Sequence, residues 1–468
     1  MMRTNRFKKS LASASLMASL SLLTACAVGP NYQRPEVNLA QDFVDDASQQ
    51  SYAQVATLAW WQSYDDPLLN QWVEQGLGSN LDIAVAVERI AAAQAALSGT
   101  GVNSALSGDL SVQSTRSGSD VASATTSDSA SLSGNLAIDL FGGIKRERQA
   151  AKADLLAAVA DTQTARLAYL SALVSAYIDA RYYQYALVLT QQSIKSREQT
   201  WAVTQEQRRV GSATELEEEQ VKALLYVAQA DIPDLQASFM AQVYAIATLL
   251  DEPADGLLAQ MQSSAPEQND LLGLSLDTPY KNGVPADLLR NRPDVRSAEY
   301  ALQSAVAEVG VAQANRLPSL NLTGTVSSSQ DSWSFGPLLS LPIFNQGALA
   351  ASKRQVEAQA RVAEIQYRQT VLDAVEDVQS ANSAWQRDRE KVDRLNQAVN
   401  SYTRALDLSQ QTYQVGVMTL LDLLDTDRSL ASARLQYAAA LRDLSVDWAT
   451  LQIALGAGGS VAKSQAEN

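Results

Sequence analysis

The chain has no histidine among its 468 residues and a single cysteine, Cys26. The first absence removes the imidazole on which most general-base, nucleophile-activating and zinc chemistry relies. The second excludes a disulfide within the chain. With no phosphate-cradling glycine loop and no clustered metal ligands in the sequence, no catalysis is expected. Acidic side chains outnumber basic ones by 51 to 36, which argues against nucleic acid as a partner. Beyond the N-terminal segment no apolar run reaches the roughly 18 residues of a membrane-spanning helix, so any membrane crossing has to use β-strands.

Glycine and proline are missing from two stretches of nearly equal length, Ile144 to Val210 and Ala348 to Val415. As an unbroken helix, each would run about 100 Å, several times the width of a compact domain. Each follows a segment read as a strand ending in glycine, LAIDLFGG and SLPIFNQG, and each stops at a Val-Gly pair. A returning helical run follows, Ser212 to Glu252 in the first half and Val417 to Leu455 in the second. Landmarks recur at a near-constant offset, Phe141 with Phe344 and Gly211 with Gly416. The chain therefore reads as a tandem duplication, with repeat 1 at 67–252, a linker at 253–285, repeat 2 at 286–456 and a flexible tail at 457–468. Each repeat is expected to form a helical hairpin whose tip lies far from its strands. In the first long helix, Leu170, Leu173, Val174, Tyr177, Ile178 and Leu189 form a packing stripe at helical spacing. Arg181, Gln184 and Gln191 are placed on the wet surface elsewhere.

Strand signals precede both long helices. Leu320, Leu322 and Val326 alternate with Asn321, Thr323 and Thr325, and Trp333, Phe335, Pro337, Leu339, Leu341 and Ile343 share one face. In the first half Leu132, Leu136, Ile138 and Leu140 alternate with small or polar residues, after a weaker strand around Leu110 to Arg116. The Ser/Thr-rich stretch between them, Ser117 to Ala130, reads as a solvated loop. The expected fold class is mainly α with a small β part, two hairpins giving four strands per chain. Four strands cannot close on themselves. Barrels in membranes start at about eight, so strands must come from more than one copy, eight from a dimer or twelve from a trimer.

The N-terminus carries export signals. Arg3, Arg6, Lys8 and Lys9 precede an apolar stretch from Leu11 to Leu23 too short and Ser-rich to span a bilayer, which reads as a signal peptide over 1–25. Its end, Leu23-Thr24-Ala25-Cys26, resembles a bacterial lipobox, in which the cysteine becomes the lipidated first residue of the mature protein. Residue 27 is alanine, not the aspartate of inner-membrane retention, so the resemblance implies the outer membrane. An anchored extended segment, 26–66, would follow, and the only prosthetic group expected is the covalent lipid on Cys26.

Together these features resemble the TolC-like outer membrane factor family, in its lipoprotein branch of multidrug efflux and nodulation-type factors. The residues that carry the resemblance begin with Cys26-Ala27-Val28-Gly29-Pro30-Asn31-Tyr32, Arg34-Pro35, Trp60-Trp61 and Asp66-Pro67-Leu68. The second half adds Asp287 to Val295 (DLLRNRPDV), Ala298-Glu299, Pro318-Ser319, Leu341-Pro342-Ile343-Phe344 and Ala454-Leu455-Gly456. The resemblance implies a homotrimer that joins a twelve-stranded barrel to an α-helical periplasmic tunnel. It also implies export in concert with a periplasmic adaptor and an inner-membrane transporter. The same duct serving type I protein secretion is the alternative reading; a lipid-anchored structural coiled coil is a third.

By the same resemblance the helix tips, Val210, Gly211 and Ser212 and then Val415, Gly416, Val417, Met418 and Thr419, meet the adaptor, with Val417 and Met418 read as exposed contact surface. Leu421, Asp425 and Arg428, spaced along one face of the returning helix, align with the family's periplasmic gate. There leucines plug the closed tunnel and charged side chains lock it. The first repeat departs from this pattern, with Leu216, Gln220 and Ala223 at the corresponding positions and Glu215, Glu217, Glu218 and Glu219 nearby.

Overall fold

The structure, a computed structural model, describes residues 27–35, 59–264, 292–328 and 331–460. The signal peptide, Cys26, most of the anchored segment, the linker from 265 onward, the Asp287–Asn291 part of the second-repeat motif and the tail beyond 460 lie outside the described residues.

After a short 3₁₀ turn at Trp60–Tyr64, the chain forms α1 (Pro67–Ser79), α2 (Leu81–Ser98) and α3 (Val102–Ala105). Strands β1 (Leu106–Ser119) and β2 (Ala122–Ile138) lead into α4 (Gly143–Arg209), α5 (Glu215–Leu250) and α6 (Ala254–Ser263). The second repeat follows with α7 (Pro293–Ala314), β3 (Ser319–Ser327), β4 (Ser332–Ser340), α8 (Gln346–Gln414) and α9 (Leu420–Ala454). No helix among the described residues is long and apolar enough to cross a membrane. The chain divides into two units, one of residues 1–38, 87–161 and 294–371 and the other of 39–86, 162–293 and 372–468.

In the first unit the hairpins join into one antiparallel sheet, ordered β1-β2-β3-β4. The joint is β2 with β3, in the register Leu132 opposite Val326 and Ile138 opposite Leu320. Alternation gives the sheet two different faces. One carries rows such as Leu110, Leu132, Val326 and Trp333, or Ile138, Leu320 and Leu339; the other carries Asp109, Ser133, Thr325 and Ser334. The apolar face is bare: Leu110 is 71%, Trp333 77% and Phe335 70% exposed.

Two strand boundaries differ from expectation. Ser117 to Ala130 is mostly strand, with Ser117 opposite Thr125 and Arg116 opposite Thr126. Serine and threonine fit a pleated surface wetted on both sides, and cross-strand bonds such as Ser114 Oγ to Asp128 Oδ1 (2.6 Å) replace the missing apolar signal. At the other end the strands stop at Ile138 and Ser340, so the Phe141 and Phe344 segments are connections to the helices.

Residues 27–35 form a strap on the same unit. Val28 N donates to the Phe141 carbonyl (2.9 Å). Arg146 donates to the Val28 and Gly29 carbonyls and to Asn31 Oδ1. Further along, Glu299 accepts both arms of the Arg34 guanidinium (2.9 and 2.6 Å) and the Tyr32 hydroxyl (3.0 Å). Gly29, at φ +90°, lies so close to Gly310 that a Cβ would fall 2.5 Å from the Gly310 Cα.

The second unit holds the helical core. Leu170, Leu173, Val174, Tyr177 and Ile178 are fully buried and Leu189 is buried, as the α4 stripe predicts, and Trp72 of α1 and Leu250 of α5 are fully buried with them. Arg181 is not on the wet surface: it is 3% exposed and donates to Tyr177 Oη (2.6 Å), Ser264 Oγ (3.0 Å) and Asp66 Oδ2 (3.4 Å). Asp66 also caps α1, accepting from Leu68 N, with Pro67 at the first helical position. One carboxylate thus starts a helix and neutralises a buried cation. Arg292 fills a similar role in the second repeat, reaching the Ala454 carbonyl (2.9 Å) and Asp377 (3.0 Å). The run Ser212 to Glu252 contains Pro233, and α5 passes through it. An internal proline costs about 3 kcal/mol. Buried residues on both sides, Val221 and Leu225 before it and Phe239, Val243 and Ile246 after it, hold the helix through the break.

Candidate functional site: helix tips and gate face

Both tips are built the same way. The helix α4 ends when Gly211 enters the left-handed region (φ +81°), and Ser212 N then bonds back to the Gln207 carbonyl (2.8 Å). At the end of α8, Gly416 (φ +75°) does the same, and Val417 N reaches the Thr412 carbonyl (3.0 Å). Three residues after each glycine a threonine caps the returning helix. Thr214 forms a capping box with Glu217, and Thr419 accepts from Asp422 N (3.3 Å) while donating to its carboxylate (2.6 Å).

The surface left over is apolar and small. Val210, Val415 and Val417 are 62%, 72% and 80% exposed, and Gly211, Ser212, Gly416 and Thr419 are exposed around them. Met418 departs from the expected contact surface: it is half-buried against the cluster of Val221, Tyr413, Leu420, Leu423 and Leu424. An unbranched side chain beside a leucine cluster fills its gaps. The tips are tied together by Tyr413, whose hydroxyl donates to Gln207 Oε1 (2.6 Å), and burial pushes its phenol pKa up.

The three residues expected to form the gate lie on one exposed face of α9. Leu421 is 67% exposed, and Asp425 and Arg428 form a loose pair (3.9 Å) with side chains 73% and 61% exposed. The opposite face buries Leu420, Leu423, Leu424, Asp427 and Leu430. Asp427 accepts from Arg197 Nε (2.8 Å), and Arg197 Nη1 also donates to the Leu224 carbonyl (3.0 Å). This buried pair clamps α9, the helix that carries Leu421, Asp425 and Arg428, to α4 and α5. Its signal in the sequence is an aspartate in phase with four leucines, a position that periodicity marks as buried without naming its partner.

In the first repeat the charge that gathers at the tip is Glu218. It is buried and accepts from Arg208, Lys222, Trp201 Nε1 and Gln205. The Arg208 guanidinium, foremost among these donors, holds its carboxyl down at about 2. The acids there brace a tip; they do not repeat the exposed Asp425–Arg428 pair.

A four-stranded sheet with one bare apolar face, followed in each repeat by a helix of 67 or 69 residues that folds back at a glycine tip, defines a class: outer-membrane channels with a β-barrel and an α-helical tunnel. The sequence profile of the family described as outer membrane efflux protein matches residues 72–251 and 284–457, and the chain belongs to that family. Nodulation protein T of Rhizobium leguminosarum bv. trifolii is 35% identical over 461 residues, covering 93% of this chain and 95% of the relative. The outer membrane protein OprJ of Pseudomonas aeruginosa is 29% identical over 443 residues, with 89% of each covered. Among solved structures, the outer-membrane channel OprN superposes with a TM-score of 0.79 at 28% identity, over 93% of this chain and 100% of that one. The protein is therefore a TolC-like outer-membrane efflux channel component and not an enzyme.

Proposed function

We propose that three copies of this chain close a twelve-stranded barrel continuous with an α-helical tunnel. The trimer would be the exit duct of a tripartite efflux pump, exporting drugs or other small molecules with a periplasmic adaptor and an inner-membrane transporter. The observation that carries this reading is the sheet. Its β1 and β4 edges have no strand partner within the described chain, and one face is apolar across all four strands. Unpaired edges in lipid are untenable, so the strands require copies of themselves. Because β1 and β4 run in opposite directions, β4 of one copy accepts β1 of the next as another antiparallel pair. In this arrangement the polar rows line the lumen. Val210, Val415 and Val417 meet the adaptor, and Leu421, Asp425 and Arg428 face the threefold axis as the gate. Cys26 carries the lipid; Ala27, the residue after it, is seated against Gly142 at the base of β2, which would bring an acyl chain to the membrane boundary.

The test is intracellular accumulation of a cationic dye in cells lacking this gene, with and without the plasmid-borne protein. Wild-type protein should lower accumulation, and an equally expressed Gly416→Trp variant should not. If accumulation is unchanged although trimers reach the outer membrane, the small-molecule efflux reading fails.

A further inference from the structure

The connections between strands and helices carry an apolar surface that the trimeric duct does not by itself account for. The last row of the sheet's apolar face is Ile138, Leu320 and Leu339. Just past it, beyond the end of β4, Leu341, Ile343 and Phe344 are 53%, 64% and 104% exposed. Such exposure usually means a mobile loop, yet this backbone is held. Gln346 Nε2 donates to the Pro342 carbonyl (2.8 Å) and to the Arg316 carbonyl (3.0 Å). At the other junction, Lys145 N donates to Asp139 Oδ2 (3.0 Å), and the strap is pinned to the Phe141 carbonyl.

Cations follow directly. Lys145 and Arg148 are exposed in the first turns of α4, and Arg354 is exposed near the start of α8 beside Lys353. Asp139, Glu147 and Glu357 lie among them, yet basic residues predominate here, against the acidic balance of the whole chain, 51 to 36. An apolar tier with a basic tier beneath it is the order of groups met on leaving a bilayer through a phospholipid headgroup, where long basic side chains reach back toward phosphate.

We propose that the strand–helix junctions form a lipid-binding collar. Leu341, Ile343 and Phe344 enter the acyl boundary of the periplasmic leaflet, and Lys145, Arg148 and Arg354 meet anionic phospholipid headgroups. The proposal rests on the barrel reading above. It sets the depth of the barrel in the membrane from the protein side, at the level where the strap delivers residue 27.

Nitroxide labels on Phe344→Cys and, separately, Phe335→Cys test it, in the acylated full-length trimer reconstituted in vesicles. Oxygen and a water-soluble nickel chelate serve as relaxation probes. The label at 335 should see oxygen far more than the chelate, and the label at 344 should give an oxygen-to-chelate ratio between that of 335 and that of a label in water, as at a headgroup boundary. If 344 is shielded from both, a neighbouring copy covers it; if its ratio equals that of a label in water, it lies in water. Either result overturns the collar while leaving the barrel standing. A label at 335 outside lipid instead overturns the barrel reading itself. The basic tier is read by the unfolding midpoint in phosphatidylcholine vesicles with and without phosphatidylglycerol. Anionic lipid should raise the wild-type midpoint, and Lys145→Gln with Arg148→Gln should lose at least half of that rise. An equal rise in both refutes the role of the cations.

Discussion

Replacing Arg197 with methionine is expected to free the start of α9. The guanidinium is 8% exposed, its Asp427 partner is 9% exposed, and the two meet at 2.8 Å. Methionine keeps most of the volume but strands a buried carboxylate, whose remaining contact is Ser196 Oγ at 3.4 Å, and it removes the donor to the Leu224 carbonyl. Removing one partner of a buried pair costs about 3 to 5 kcal/mol. Since each 1.4 kcal/mol is about a factor of ten, the opening of residues 420–430 should become about a hundredfold more frequent or greater. Hydrogen exchange followed by mass spectrometry on the purified protein reads this directly, as lost protection in peptides from the start of α9 with little change in those from the end of α4. Replacing both partners, Arg197→Met with Asp427→Leu, removes the stranded charge and should restore much of the protection. If the single variant leaves exchange unchanged, or the double variant is as weak as the two singles added together, the pair does not clamp this helix.

The exposed gate pair should behave in the opposite way. Asp425→Ala with Arg428→Ala should alter stability by no more than about 0.5 kcal/mol, because a solvated pair at 3.9 Å contributes little, yet raise conductance in planar bilayers; unchanged conductance would remove these residues from the gate. Glu218, held at about 2 against an ordinary 4.5, is charged in the folded protein at pH values where the unfolded chain takes up a proton. Its stabilisation is therefore complete above about 4.5 and is lost as pH falls toward 2. A Glu218→Gln variant should flatten the acid limb of the midpoint-versus-pH curve. Gly29→Ala places a Cβ 2.5 Å from Gly310 Cα at a φ of +90° and should lift the strap, which limited proteolysis between residues 27 and 35 would report. An intact strap in that variant would show that the two backbones can part cheaply.

The sequence foretold the large elements because each rests on a strong local signal. The two long helices follow from missing glycine and proline, and their ends follow from Val-Gly pairs whose glycines adopt φ values of +81° and +75°. The outer part of the first hairpin was missed because alternation of hydrophobicity is the only handle on a strand. Around its tip, from Ser114 to Asp128, both faces are wet, so there is nothing to alternate. Arg181 and Arg197 were missed for a related reason. Periodicity places a residue on a face of its own helix, but what makes a buried arginine tolerable is a carboxylate far along the chain, Asp66 in one case and Asp427 in the other. The family motif residues were visible as text before they had a physical meaning. Tyr32, Arg34 and Glu299 are three points of one hydrogen-bonded knot, and Arg292 is a brace to the end of α9.

The tips separate the atoms that build the turn from those that form its outer surface. A left-handed glycine and a threonine cap fold each turn, using backbone groups and a hydroxyl, while the outward-pointing side chains of the valines take no part in the folding of the turn. Val210, Val415 or Val417 can therefore be exchanged, and the outer surface of the tips changed, at almost no cost to the hairpin. Variation of that surface and constancy of architecture are compatible here because different atoms are answerable for each.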